Sequence, residues 1–193
     1  MKAIIPGIAM VAALFAGCST NNSSNNTAAT SADTITTNNE TAAMPVSEPA
    51  SVDAVVNDYL TLKNALANDN GSNAADAGKQ MMTSLQKLDA ASLNADQKKV
   101  YDDVKDDMKE HAEHISTNAS NIEHQREHFD MLSKDMYDLV KAVKPAKTLY
   151  QDHCPMYNDN KGANWLSETK EIKNPYLGKK MPDCGTVKEE IKQ

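Results

Sequence analysis

Apolar side chains recur every three or four residues from Val52 to Val143, in four runs divided by short polar breaks. That is the period of an amphipathic helix. The first run carries Val52, Val55, Val56, Tyr59, Leu62, Lys63 and Leu66 on one stripe, with Ser51 placed as its N-cap. Asn68-Asp69-Asn70-Gly71 supplies a stop and a turn. The second run, Ala74, Ala77, Met81, Met82, Leu85 and Leu88, is thinner and predicts close helix packing. Its Gly78 costs about 1 kcal/mol relative to Ala on helix propensity. Asn94 to Gln97 reads as an N-terminal cap for a third helix bearing Tyr101, Val104, Met108, His111 and Ile115. The fourth bears Ile122, Gln125, Phe129, Leu132, Met136, Leu139 and Val143. A polar break near Thr117–Ser120 folds the last two into a hairpin. The expectation is an all-α fold: an antiparallel, up-down-up-down four-helix bundle. Pro145 ends the fourth helix. Beyond it the turn-rich sequence predicts a largely irregular C-terminal tail packed on the bundle, with short helices over Asn164–Thr169 and Val187–Lys192 and no strand period.

The N-terminal third has a different composition. Lys2, an apolar run over Ile4–Phe15 and the ending Phe15-Ala16-Gly17-Cys18 make an export signal too short to span a bilayer. Its small-small-Cys ending resembles the lipobox of bacterial lipoproteins, which implies lipidation at Cys18. Residues 19–50 are Ser/Thr/Asn/Ala-rich and too polar to offset the entropy of ordering, so they read as a disordered tether of roughly 30 Å span. The expected organisation is therefore signal peptide and lipobox over 1–18, tether over 19–50, and one helical domain over 51–193. The expected location is the periplasm or cell envelope, with membrane contact through the lipid anchor only. A net charge of −7 argues against nucleic acid and against anionic membrane surfaces as partners. No nucleophile elbow, phosphate loop, HExxH or dinucleotide fingerprint occurs, so the chain does not read as an enzyme.

Chemistry-bearing residues gather in two places. Four of the five histidines, His111, His114, His124 and His128, lie on the third and fourth helices. At 100° per residue, His111 falls about 30° from the centre of its apolar seam and His128 about 70° from its own. A turn near Asn118 brings all four imidazoles within about two helical turns of one another. Imidazole is the commonest transition-metal ligand. Solvated flank histidines on a charged helix pair have the same spacing.

The second place is the tail. His153-Cys154-Pro155-Met156 and Met181-Pro182-Asp183-Cys184 each pair a thiol with a thioether, soft donors that favour Cu(I) over Mg²⁺, Ca²⁺ and Mn²⁺. The spacing is not that of a zinc finger, which makes zinc the lesser metal candidate. The same two cysteines fit a disulfide closing a loop of about thirty residues and worth roughly 3–4 kcal/mol. A redox-active pair lacks the usual CxxC. Composition alone tilts toward the staple.

From Tyr150 to Val187 the chain reads YxxxCPMxNxxKGAxWLSxxKEIxNPYxGxxMxxCGxV, and the fourth helix carries HQRxxF…LS…LxxLVK. These stretches resemble a bacterial family known as domain of unknown function 3347, over a span from about Val52 to Val187. Its members include exported lipoproteins and domains appended to the adaptor subunits of copper/silver efflux systems. The resemblance implies copper handling outside the cytoplasm, with a periplasmic efflux adaptor as partner. By position it implies Cys154, Met156, Met181 and Cys184 as ligands, with His124 and His128 from the fourth helix. The competing reading is a non-metal interaction module of an envelope complex, stapled by Cys154 and Cys184.

Overall fold

The computed structural model describes residues 51–192. The signal, Cys18 and the tether lie outside the described residues. Within them the four periodic runs fold as four long helices: α1 (Val52–Ala67), α2 (Gly71–Lys87), α3 (Ala95–Thr117) and α4 (Ile122–Val143). Each break in the apolar pattern has a local cause. Asn94 accepts from the N–H groups of Asp96 and Gln97 at 3.1 and 3.0 Å, and the Gln97 side chain accepts from Asn94 N–H at 3.0 Å. This reciprocal capping box satisfies donors that a helix start leaves free. Asn70 and Asn121 cap α2 and α4 through the N–H of Asn73 and His124. Ser51 occupies the cap position of α1, but its side chain makes no capping bond. Lys144, in the left-handed region at φ 57°, closes α4 just before Pro145.

Helices adjacent in sequence pack on each other. A Cβ on Gly78 of α2 would lie 2.9 Å from the carbonyl oxygen of Ala112 on α3. The thin stripe of α2 thus reflects close backbone approach to α3 at Gly78. Between α1 and α4, Tyr59 stacks on Phe129 with ring centroids 5.2 Å apart.

The tail departs from the expected irregular coil with two short helices. Three strands, β1 (Leu149–Cys154), β2 (Ala163–Ser167) and β3 (Thr186–Ile191), form an antiparallel sheet in the order β2-β1-β3. The segments expected to be helical at Asn164–Thr169 and Val187–Lys192 are largely β2 and β3. The fold is therefore mostly helical with a small sheet, not all-α. The strand period was hidden for physical reasons. β2 is buried at four of its five positions and shows no alternation. β3 is mostly exposed and polar, and β1 bulges between Gln151 and Asp152 against β3.

The sheet joins the helical core. Leu149, Cys154, Trp165, Leu166, Tyr176 and Ile191 belong to the same buried cluster as Val55, Leu66, Met108 and Phe129. The Leu166 N–H donates to the Tyr59 hydroxyl at 3.0 Å, and that hydroxyl lies 2.8 Å from Ser133 Oγ. Lys63, on the apolar stripe of α1, is 1% exposed and bonds Glu168 just after β2 at 2.8 Å. Among the described residues no helix is long and apolar enough to cross a membrane.

Candidate functional site

Strand register brings the tail cysteines together. His153 pairs with Thr186 across β1 and β3, which places Cys154, at the end of β1, beside the segment carrying Cys184. Their Sγ atoms are 3.1 Å apart and both cysteines are free thiols. Cys154 is fully buried, while Cys184 is half-buried. The adjacent Cys154 thiol, followed by burial, pushes Cys184 up to about 11, with the Met156 N–H pulling the other way. Cys184 therefore holds its proton at neutral pH until something displaces it. Met156 and Met181 are 47% and 39% exposed, unusual for thioethers beside a core. Soft donors thus run from the interior to the surface of one loop cluster.

Asn174 shapes that cluster. It is completely buried, and its side chain donates to Cys184 O at 2.6 Å. Its Oδ1 accepts from the N–H of Tyr176 and Leu177, and its own N–H donates to Pro182 O. Pro182 and Cys184 are thus held by one residue, through its backbone and its side chain. Tyr176 donates to Asn164 O and packs against Phe129, Tyr157 and Trp165, so Trp165, Leu166 and Tyr176 pin the tail on the helices. His153, beside Cys154, has Nδ1 2.8 Å from Asn164 Oδ1.

The histidines form a separate group. Across α3 and α4, ring centroids are 4.1 Å apart for His114–His128, 4.6 Å for His124–His128, 5.4 Å for His111–His128 and 5.8 Å for His114–His124. His111 Nδ1 and His128 Nδ1 are 3.2 Å apart. One ring nitrogen from each of His114, His124 and His128 lies within 4.8 Å of the others. Neither thiol belongs to that group. The turn at 118–121 fixes the register that makes this meeting inevitable. Burial, and then the three neighbouring imidazoles, push His128 down to about 4; burial also lowers His111. At neutral pH these two offer lone pairs rather than charges. His124 Nδ1 sits 3.3 Å from Glu127 Oε2.

Arg126, next to His124 and Gln125, was not singled out in the sequence. It is buried, and its guanidinium donates to Pro175 O at 2.8 Å, Leu66 O at 3.0 Å and Asp69 Oδ1 at 2.6 Å. It ties α1 and α4 to the tail. Asp152, on the central strand, was also missed. It is fully buried and neither carboxylate oxygen has a partner. Burial pushes it up to about 7 against the pull of Lys63.

The comparisons with known proteins meet this geometry at the helices. A family model described as Protein of unknown function (DUF3347) matches residues 55–148. The helical part of the chain, residues 55–148, belongs to that family. The match takes in all four clustered histidines and Arg126 and stops one residue before β1, so Cys154, Met156, Met181 and Cys184 lie beyond it. No curated protein and no solved structure matches the chain.

Proposed function

We propose that this protein binds copper as Cu(I) and buffers it or passes it to an efflux system. The observation that carries the reading is the pair of sulfurs 3.1 Å apart, with Met156 and Met181 exposed on the same loop cluster. Two thiolates and accessible thioethers are the donor set that selects a soft monovalent ion over hard divalent ones. Cys154 and Cys184 are the anchoring ligands, and Met156 and Met181 offer exchangeable positions for transfer to an acceptor. Zinc is the lesser candidate.

In this reading the chain is a binding protein and not an enzyme. It is exported to the periplasm or cell envelope and tethered to a membrane by lipid on Cys18. The metal is delivered to a periplasmic efflux adaptor, as the resemblance implies, and no nucleic acid is involved. The four helices are read as an antiparallel up-down-up-down bundle, supported by the short links between them.

The sulfur pair also favours a second reading. A shift of about 1 Å would bring it to disulfide length, making Cys154–Cys184 a staple in a non-metal interaction module. Thiol counting on the purified protein, combined with thermal unfolding under added Cu(I), separates the two. Two reactive thiols and a melting temperature that climbs with Cu(I) concentration support copper binding. A permanently oxidised pair with no copper-dependent shift overturns it in favour of the staple.

A further inference from the structure

Four imidazoles packed against one another, with a carboxylate within hydrogen-bond range of His124, need an explanation. We propose that His114, His124 and His128, with His111 as a fourth donor, form a second metal site on α3 and α4. It takes a borderline divalent cation such as Zn(II) or Cu(II) and is independent of the tail sulfurs. This rests on the metal-handling reading above and adds a site of different chemical class to it.

Three features of the cluster carry the assignment. The residues are placed at i,i+3 on α3 (His111, His114) and i,i+4 on α4 (His124, His128), so each pair shares a helix face. Two rigid helices thus present two donors each across a single seam, which is how bundle proteins build metal centres. The nitrogen separations are also right. Zinc–nitrogen bonds of about 2.0–2.1 Å in a tetrahedron set ligand nitrogens about 3.4 Å apart. His111 and His128 already stand at 3.2 Å, and one ring nitrogen from each of His114, His124 and His128 lies within 4.8 Å of the others. The remaining contraction needs ring rotations: His114 and His128 lie parallel at 4° and must turn before their in-plane lone pairs converge. Rotation about the second side-chain torsion of histidine is soft, so this adjustment is inexpensive. Finally, Glu127 Oε2 stands 3.3 Å from His124 Nδ1, the outer carboxylate that commonly orients a ligating imidazole through its other nitrogen.

The donor chemistry distinguishes this site from the tail. Imidazole suits zinc, copper and nickel, whereas thiolate and thioether select Cu(I). All four rings are only partly buried, so a bound ion keeps access to solvent and to exchange.

The test uses the full chain in three forms: unmodified, Cys154→Ser/Cys184→Ser, and His124→Ala/His128→Ala. Zn(II) is titrated by equilibrium dialysis, and Co(II) serves as a spectroscopic probe. The account expects one Zn(II) per chain in the first two forms, and affinity weaker by about 100-fold or more in the third. Co(II) should give tetrahedral d–d absorption in the cysteine variant and, in the unmodified protein, paramagnetic shifts of the imidazole resonances of His114, His124 and His128. The His153 resonances should stay in place. The unmodified-protein spectrum decides the matter even if the histidine variant unfolds. Zn(II) binding that disappears in the cysteine variant, or imidazole resonances of His114, His124 and His128 that stay in place under Co(II), overturns the second site. Loss of Cu(I) binding at the tail with Zn(II) binding retained leaves it standing.

Discussion

Arg126 and Asp69 form an ion pair at 2.6 Å directly beneath the backbone of Gly178, where an added Cβ would overlap both side chains. Gly178 sits at φ 53°, in the left-handed region that glycine adopts without strain. Burial raises the Asp69 carboxyl, but Arg126 and the Lys179 N–H outweigh it and hold Asp69 below its ordinary range. One guanidinium thus joins the end of α1, the N-terminal part of α4 and the tail. Arg126→Met should cost roughly 3 kcal/mol, because it removes the buried bonds to Pro175 O and Leu66 O and the charge partner of Asp69. Gly178→Ala should destabilise in the same direction. Trp165, the sole tryptophan and 1% exposed, reports the docking of the tail. Urea unfolding followed by its fluorescence is the measurement. A change within about 0.5 kcal/mol for Arg126→Met would show that the tail is held by other means.

Propensity and packing make opposite predictions at Gly78. On propensity alone, Gly78→Ala should stabilise α2 by about 1 kcal/mol. The structure places the new methyl 2.9 Å from Ala112 O and 3.3 Å from Ile115 Cγ2, so α2 and α3 must separate. The expected outcome is destabilisation of about 1–3 kcal/mol, read as a lower melting temperature.

Asp152 sets a pH dependence. Its folded value is raised to about 7 from an ordinary carboxylate value of 3.8, so the folded state favours the protonated form. The stabilisation this gives is fully present below about pH 4 and is lost as pH rises through 7. Asp152→Asn should remove that loss, raising stability above pH 7 by on the order of a few kcal/mol and flattening the profile between pH 4 and 7. Unfolding free energies measured across this range for both proteins check it.

The legible parts of the chain were those with local causes. The helices followed from spacing, and the polar break at Thr117–Ser120 was enough to predict that His111, His114, His124 and His128 would meet. Arg126 gave no signal, because its partners Asp69 and Leu66 lie 57 and 60 residues away. Lys63 scored as part of an apolar stripe and does lie on the buried face, but its reason is Glu168, 105 residues on. The sheet was missed because its central strand buries an aspartate and bulges, and because its neighbours are buried almost throughout or mostly exposed. The nearness of Cys154 and Cys184 depends on that sheet register, so spacing alone left staple and ligand pair undivided.

Cu(I) binding at the tail should release protons. Cys184 is raised to about 11 and must lose its proton to coordinate. Apparent affinity should therefore rise at least about tenfold per pH unit across the neutral range. Competition titrations at several pH values check the slope; a pH-independent affinity would point to the thioethers alone.

The most direct test of copper binding is anaerobic Cu(I) titration of the reduced protein against a competing chelator, beside the Cys154→Ser/Cys184→Ser variant. The account predicts tight binding of Cu(I) by the unmodified protein and its loss in the variant. Equal, weak binding by both would contradict it and leave Cys154 and Cys184 as a structural pair.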